Sequence, residues 1–170
     1  MSLSMYQAGI PVAIRYLNNL STLIDKAKAH CEARKIEPSV LVNFRLTPDM
    51  FPFSRQVQST CDNAKFVFSR LTDKEAPSFP DTETTFAQLH ERIAKTIAYL
   101  DTFKDSDFAG FAEKRVGSQR WNGKTMAGPD YIVQYGIPNF YFHAATAYLI
   151  LRHNGVDVGK LDFLGQLEMS

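Results

Sequence analysis

The side chains with the clearest chemical potential in this sequence are Asn139 and His143, four residues apart. On a helix that spacing puts both on one face, with Cβ atoms about 6 Å apart. Thr146 and Ile150 continue the face, and Phe140, Ala144, Ala147 and Leu151 make the neighbouring apolar stripe. His143 therefore borders a core, where a buried imidazole must hydrogen-bond. Two readings are open. It is a core histidine satisfied by a neighbour, or it is a general base, substrate hydrogen-bonder or metal ligand in a pocket between helices. The other histidines differ. His30 and His90 stand among charged residues and read as solvated helix faces. His153 falls in a last helical turn, where the carbonyl ends favour a cation. The run from Gly155 to Lys160 suggests a phosphate loop but fails the pattern. One residue too few separates Gly155 from Gly159, and Leu161 stands where Ser or Thr is required.

The elements that must position His143 are legible as long amphipathic helices. Ile10, Leu17, Ile24 and Cys31 recur every seventh residue, and Ala13, Leu20 and Ala27 lie between them, which predicts a helix over Pro11–Arg34. Proline suits its opening turn. A short helical piece follows near Pro38–Arg45. Val57, Cys61, Ala64, Phe68 and Leu71 make one apolar face of a second long helix, Phe51–Leu71. Thr72–Asp81, with Pro77 and Pro80, reads as an ordered crossing loop. Phe86, Leu89, Ile93, Ile97 and Leu100 mark a third helix over Thr82–Phe103, with Glu83 in an acidic first turn. The helical period then lapses until Gly128, and Asn122-Gly123 suggests a small hairpin there. Helix resumes at Gly128 with Tyr131, Ile132 and Tyr135, and Pro138 kinks or restarts it. The last long helix runs from Pro138 to His153 and stops at Asn154-Gly155. Phe163 and Leu164 in the tail are expected to fold back. The pattern predicts one all-α domain over residues 1–170, an antiparallel four-helix bundle with a short irregular or hairpin excursion before the last helix.

Composition narrows function further. Nineteen basic and 18 acidic side chains leave a formal net charge of +1. That balance argues against a polyanion-binding surface, so no nucleic-acid partner is expected. No apolar run approaches a membrane span and no basic, apolar leader opens the chain, so no membrane partner and a cytoplasmic location are expected. Asn19-Leu20-Ser21 matches a glycosylation acceptor but sits mid-helix. Cys31 and Cys61 lie on apolar stripes, are not in a CxxC spacing, and read as reduced core residues.

Three segments carry a resemblance. They are Ser4-Met-Tyr-Gln-Ala8, Asp49-Met-Phe-Pro-Phe-Ser-Arg-Gln-Val57, and the ending from Asn139-Phe-Tyr-Phe-His143 through Thr146–Val156 to Gly159–Gly165. Together they resemble an uncharacterised domain-of-unknown-function family of the DinB/YfiT-like superfamily. The resemblance implies a four-helix bundle that often pairs as a homodimer. In many members a divalent metal, zinc or nickel, is held by one histidine of the second helix and an HxxxH pair on the last, and serves thiol-dependent transferases. His143 matches the second histidine of that pair, and Asn139 stands at the first. The second-helix ligand falls within Gln56–Thr60, which offers Gln56, Gln58 and Thr60. Amide and hydroxyl oxygens suit zinc poorly, so the metal site is degenerate and no cofactor is expected. If a metal binds at all, His143 is its ligand. Three functions follow: a metal-free pocket of Asn139, His143, Gln56, Gln58 and Thr60 that takes a small molecule, a metal-dependent transferase or hydrolase, or a non-catalytic dimer. His143 is the candidate catalytic residue.

Overall fold

The computed structural model describes residues 3–118 and 121–167. The chain is mostly helical, 63%, about twice the usual share, with one small two-stranded sheet. The long helices are α1 (Met5–Arg34), α3 (Phe53–Ser69), α4 (Phe86–Leu100) and α6 (Ile137–His153), and α2 (Pro38–Val42) is the short piece after α1. A single core unites them, built from Leu17, Leu20 and Ile24 of α1, Phe53, Val57 and Cys61 of α3, Leu89 and Ile93 of α4, and Ala147, Ile150 and Leu151 of α6. Helix α3 packs against α1, α4 and α6. That central position explains why it buries Gln56, Gln58, Ser59, Thr60 and Lys65 along with its apolar stripe.

The helix starts correct the periodic reading, and capping is the reason. Helix α1 begins at Met5, ahead of Pro11, because Ser4 and Gln7 form a reciprocal capping box. Pro11 is thus inside the helix. Thr85 and Gln88 do the same for α4, which starts at Phe86 and not at Thr82. Glu83 consequently lies outside α4 and turns toward α3. Helix α3 is shorter than the expected Phe51–Leu71, with Pro52 as its N-cap. Cys31 and Cys61 are free and buried, and burial pushes the Cys61 thiol up to about 12.

Strands β1 (Arg115–Gly117) and β2 (Thr125–Ala127) pair antiparallel, Val116 opposite Met126. The Asn122-Gly123 pair does turn the chain, with φ of 50° and 78°. It is not a two-residue hairpin connection, because β1 ends at Gly117, well before it. A short α5 (Gly128–Tyr131) leads into a π-helical turn, Ile132–Gly136, whose last bond runs from the Ile137 N–H to the Ile132 carbonyl. Pro138 supplies no N–H to the carbonyl one turn back, and it stands in the opening turn of α6, where the helix restarts after the π turn. Gly136 permits this against α3, since a Cβ there would lie 3.0 Å from a Val67 methyl. Helix α6 ends at Asn154, followed by Gly155 at φ 78°. Helix α7 (Lys160–Leu164) folds back on α1, where the Asn19 amide donates to the Phe163 carbonyl at 3.0 Å. Residues 168–170 of the tail lie outside the described residues. Among the described residues no helix is long and apolar enough to cross a membrane.

Candidate functional site

A cleft of about 390 Å³ opens between α3 and α6, within the usual range for small-molecule sites. Helix α3 lines it with Arg55, Ser59, Asp62, Asn63, Phe66 and Arg70, a single face at helical spacing. Tyr135 of the π turn, then Asn139 and His143 of α6, form the opposite wall. The two helices run in opposite directions along it, because their two cross-links reverse in order. His143 meets Gln56 and Asn139 meets Asn63, and beyond the helices Tyr131 of α5 meets Arg70.

The hydrogen bonds fix which atoms remain for a ligand. Gln56 is almost fully buried, and its amide nitrogen donates to the Phe51 carbonyl at 3.3 Å. Its Oε1 must therefore accept, and the His143 Nδ1–H donates to it at 2.8 Å. That assignment leaves His143 Nε2 as a lone-pair acceptor, and no described residue bonds it. Burial, and secondarily the Arg55 cation, hold the imidazole pKa below its usual 6.5 and keep it neutral near pH 7. The same logic applies one turn away. Asn63 donates to the Ser59 carbonyl and accepts from the Asn139 amide at 2.6 Å, so Asn139 Oδ1 is the second unengaged acceptor.

Of the residues expected to share this site, His143, Gln56 and Asn139 come together, and two do not. Gln58 turns to the other side of α3, where it donates to Glu83 at 2.9 Å. Thr60 returns its hydroxyl proton to the Gln56 carbonyl, a local bond within α3, and is fully buried. One-residue steps on a helix turn side chains by about 100°, so the Gln56–Thr60 window could not all face α6. Arg55, Ser59, Asp62, Asn63, Phe66, Arg70 and Tyr135 were missed. Their signal was the polar ladder at 55, 59, 63 and 70 alongside the ladder at 135, 139 and 143.

The donor set can be tested against the superfamily's metal. Gln56 Oε1 is committed to His143, the Asn139 amide nitrogen to Asn63, and Thr60 faces its own helix. Among the described residues no group of three or more His, Cys, Asp or Glu is arranged to hold an ion. The residues do not fit a three-imidazole site.

A second constellation surfaced that the sequence had not suggested. The Ser21 hydroxyl lies 2.7 Å from His90 Nδ1, and His90 Nε2 lies 3.0 Å from Asp25. His90 is thus not simply solvated. The connectivity is that of a hydrolase triad, but Ser21 lies mid-way along α1, where backbone N–H groups are consumed by the helix and no oxyanion hole can form. Asp25 is widely exposed. The trio ties α1 to α4.

The comparisons with known proteins bear on the family and the fold. A family model described as a domain of unknown function, DUF1993, matches residues 5–164. The chain belongs to the DUF1993 family. A crystal structure of a DinB family member protein from Shewanella denitrificans is similar to this DUF1993 chain at 43% identity, with a TM-score of 0.94, covering 98% of this chain and 94% of that one. No curated protein matches.

Proposed function

We propose that this DUF1993 protein binds a small molecule in the cleft between α3 and α6, against His143, without the three-histidine metal site of the superfamily. The observation that carries the reading is the pinned imidazole. Buried Gln56 fixes the tautomer, and Nε2 faces the cleft as a neutral acceptor. An imidazole so oriented can accept a hydrogen bond from a ligand or take its proton, which keeps His143 the candidate catalytic residue. Asn139 serves beside it, and Gln56 acts through it.

The rest of the reading is coarser. We take the four long helices as an antiparallel bundle in one domain, a reading supported by the two reversed cross-links between α3 and α6. A cytoplasmic homodimer that contacts neither nucleic acid nor membrane is the setting we propose. Phe142 and Leu149, seven residues apart on α6, are 55% and 45% exposed and would gain cover from a second copy. Light scattering at micromolar concentration should report twice the chain mass, and a monomer would refute the pairing.

Metal content tests the central claim. Protein purified without an affinity tag and mildly chelated should hold far less than one zinc or nickel per chain. If one metal per chain persists and is lost in His143→Ala, the metal-free reading is wrong and a metal-dependent transferase or hydrolase replaces it.

A further inference from the structure

We infer that the ligand is an elongated monocarboxylate that carries hydroxyl or amine donors several atoms from its acid group, its carboxylate on Arg70 and its donors against Asn139 and His143. The inference rests on the cleft being the binding site proposed above, and adds the chemical class. It comes from counting which charges and lone pairs of the cleft the protein itself satisfies.

The carboxylate of Asp62 is compensated by two buried cations, Arg92 at 2.7 Å and Lys65 at 3.1 Å. Arg55 pairs with Asp81. Arg70 has no carboxylate partner among the described residues. Its guanidinium is nonetheless held in place, donating to the Tyr131 hydroxyl at 3.1 Å and lying 5.3 Å from the centre of the Phe66 ring. A planar cation that lies near an aromatic ring, is hydrogen-bonded and is still uncompensated suits the forked geometry of a carboxylate. One uncompensated cation among the described residues of the cleft calls for one negative charge, not the near-double charge of a phosphate monoester.

Along α6 the deficit has the opposite sense. His143 Nε2 and Asn139 Oδ1 are both acceptors without a donor among the described residues. They ask for N–H or O–H groups on the ligand. The stations lie along one line of the cleft. Asn63, level with Asn139, and Arg70 at the C-cap of α3 are seven residues apart, about 10 Å along the axis, and His143 stands one turn beyond Asn139, so the ligand must be elongated. An anion at one end and donors several atoms further along describe an elongated hydroxy acid or amino acid. Phe66 and Tyr135 give its body aromatic walls.

The experiment uses the full chain, labelled with nitrogen-15, and a panel of hydroxy acids and amino acids, each paired with its uncharged primary amide, plus a set of phosphate monoesters. Acids should shift the amide resonances of α3 and α6 around the cleft and bind more tightly than their amides. Arg70→Gln should weaken the best acid by about tenfold or more, and Arg70→Lys should restore part of it. Asn139→Ala should weaken the acids that carry donors and leave the donor-free acids as they were. The spectrum of each variant without ligand shows whether it has kept the fold. Equal binding of acid and amide, or indifference to Arg70→Gln in a folded variant, overturns the charge assignment and leaves the cleft reading standing. Preference for phosphate monoesters overturns the monocarboxylate. A cleft that responds to no member of the panel overturns both.

Discussion

Helix α3 presents charged and polar residues to two sides, and the two sides are built on opposite rules. Toward α4 it meets a clamp in which every charge is answered. Arg92, 1% exposed, pairs with Asp62, Asp81 and Glu83, while Lys65, equally buried, bonds Asp62 and the Pro77 carbonyl. The loop after α3 lays Phe79 over both cations, 4.0 Å from Lys65 and 5.4 Å from Arg92. Toward α6 the same helix meets a cleft where, among the described residues, Arg70 lacks an acid and His143 and Asn139 each keep a free acceptor. Ions that are buried and paired hold the crossing loop in register. Groups that are pinned but unanswered sit where a ligand can complete them. Asp62 belongs to both, lining the cleft while anchoring the clamp.

The sharpest way to break this contrast is to remove the centre of the clamp. Arg92→Met keeps the aliphatic stem but leaves Glu83 with only Gln58 and deprives Asp62 of one of its two cations. Orphaning partly buried acids in this way should cost about 3 kcal/mol, at the low end for a broken buried pair because the acids retain some water. Urea denaturation would read it as a lower midpoint. A loss below about 1 kcal/mol would show that the clamp is no more than surface charge.

On the cleft side the structural part of the site is the bond between His143 and Gln56. His143→Ala leaves the buried Gln56 oxygen unpaired and should cost about 1–3 kcal/mol. Adding Gln56→Leu removes the orphan, so the double variant should lose less than the sum of the two single ones. The imidazole also predicts a pH dependence. Its pKa is lowered in the fold, so the unfolded chain binds more protons as pH falls below 6.5. The contribution of His143 to stability is therefore complete above that value. It declines as pH drops toward the lowered folded pKa, and levels off below it. Denaturation midpoints between pH 7 and 5 should fall more steeply for the native sequence than for His143→Gln. Parallel slopes would mean that His143 is not held neutral.

How much of this was written in the sequence depends on the range of each interaction. The apolar stripes of α1, α3, α4 and α6 repeat locally, so Leu17, Val57, Leu89 and Ala147 could be placed in a core before any fold was known. The cysteine positions followed from the same stripes. Local signals for the helix starts existed too. Ser4-x-x-Gln7 and Thr85-x-x-Gln88 are capping boxes, and reading them in place of the nearest proline or acidic residue would have set both boundaries. Other features had no local trace. Arg92 lies within an amphipathic helix and looks solvated until Asp62, thirty positions away, and the loop acids close over it. The π turn depends on how α6 meets α3, and the direction in which Gln58 turns depends on Glu83. For the site, the spacing of Asn139 and His143 was sufficient to mark one wall. The opposite wall needed the register between two helices, which only the packed chain supplies.

The smallest expected effect on stability is also the most discriminating, because it concerns a cation of the cleft that has no carboxylate partner among the described residues. Arg70 lies just beyond the last turn of α3 and is largely exposed, and its strongest polar contact is to a neutral phenol. Replacing it with glutamine strands no carboxylate, and glutamine can still donate to the Tyr131 hydroxyl. Arg70→Gln should therefore shift stability by no more than about 0.5 kcal/mol, the range of ordinary surface substitutions. Set beside Arg92→Met, this pair removes the same charge from two residues on opposite sides of α3. If the fold loses several times more at Arg92 than at Arg70, pairing is what separates structural charge from available charge in this protein. Comparable losses would mean that Arg70 is part of the scaffold, and the cleft would then have no charge to spare for a ligand.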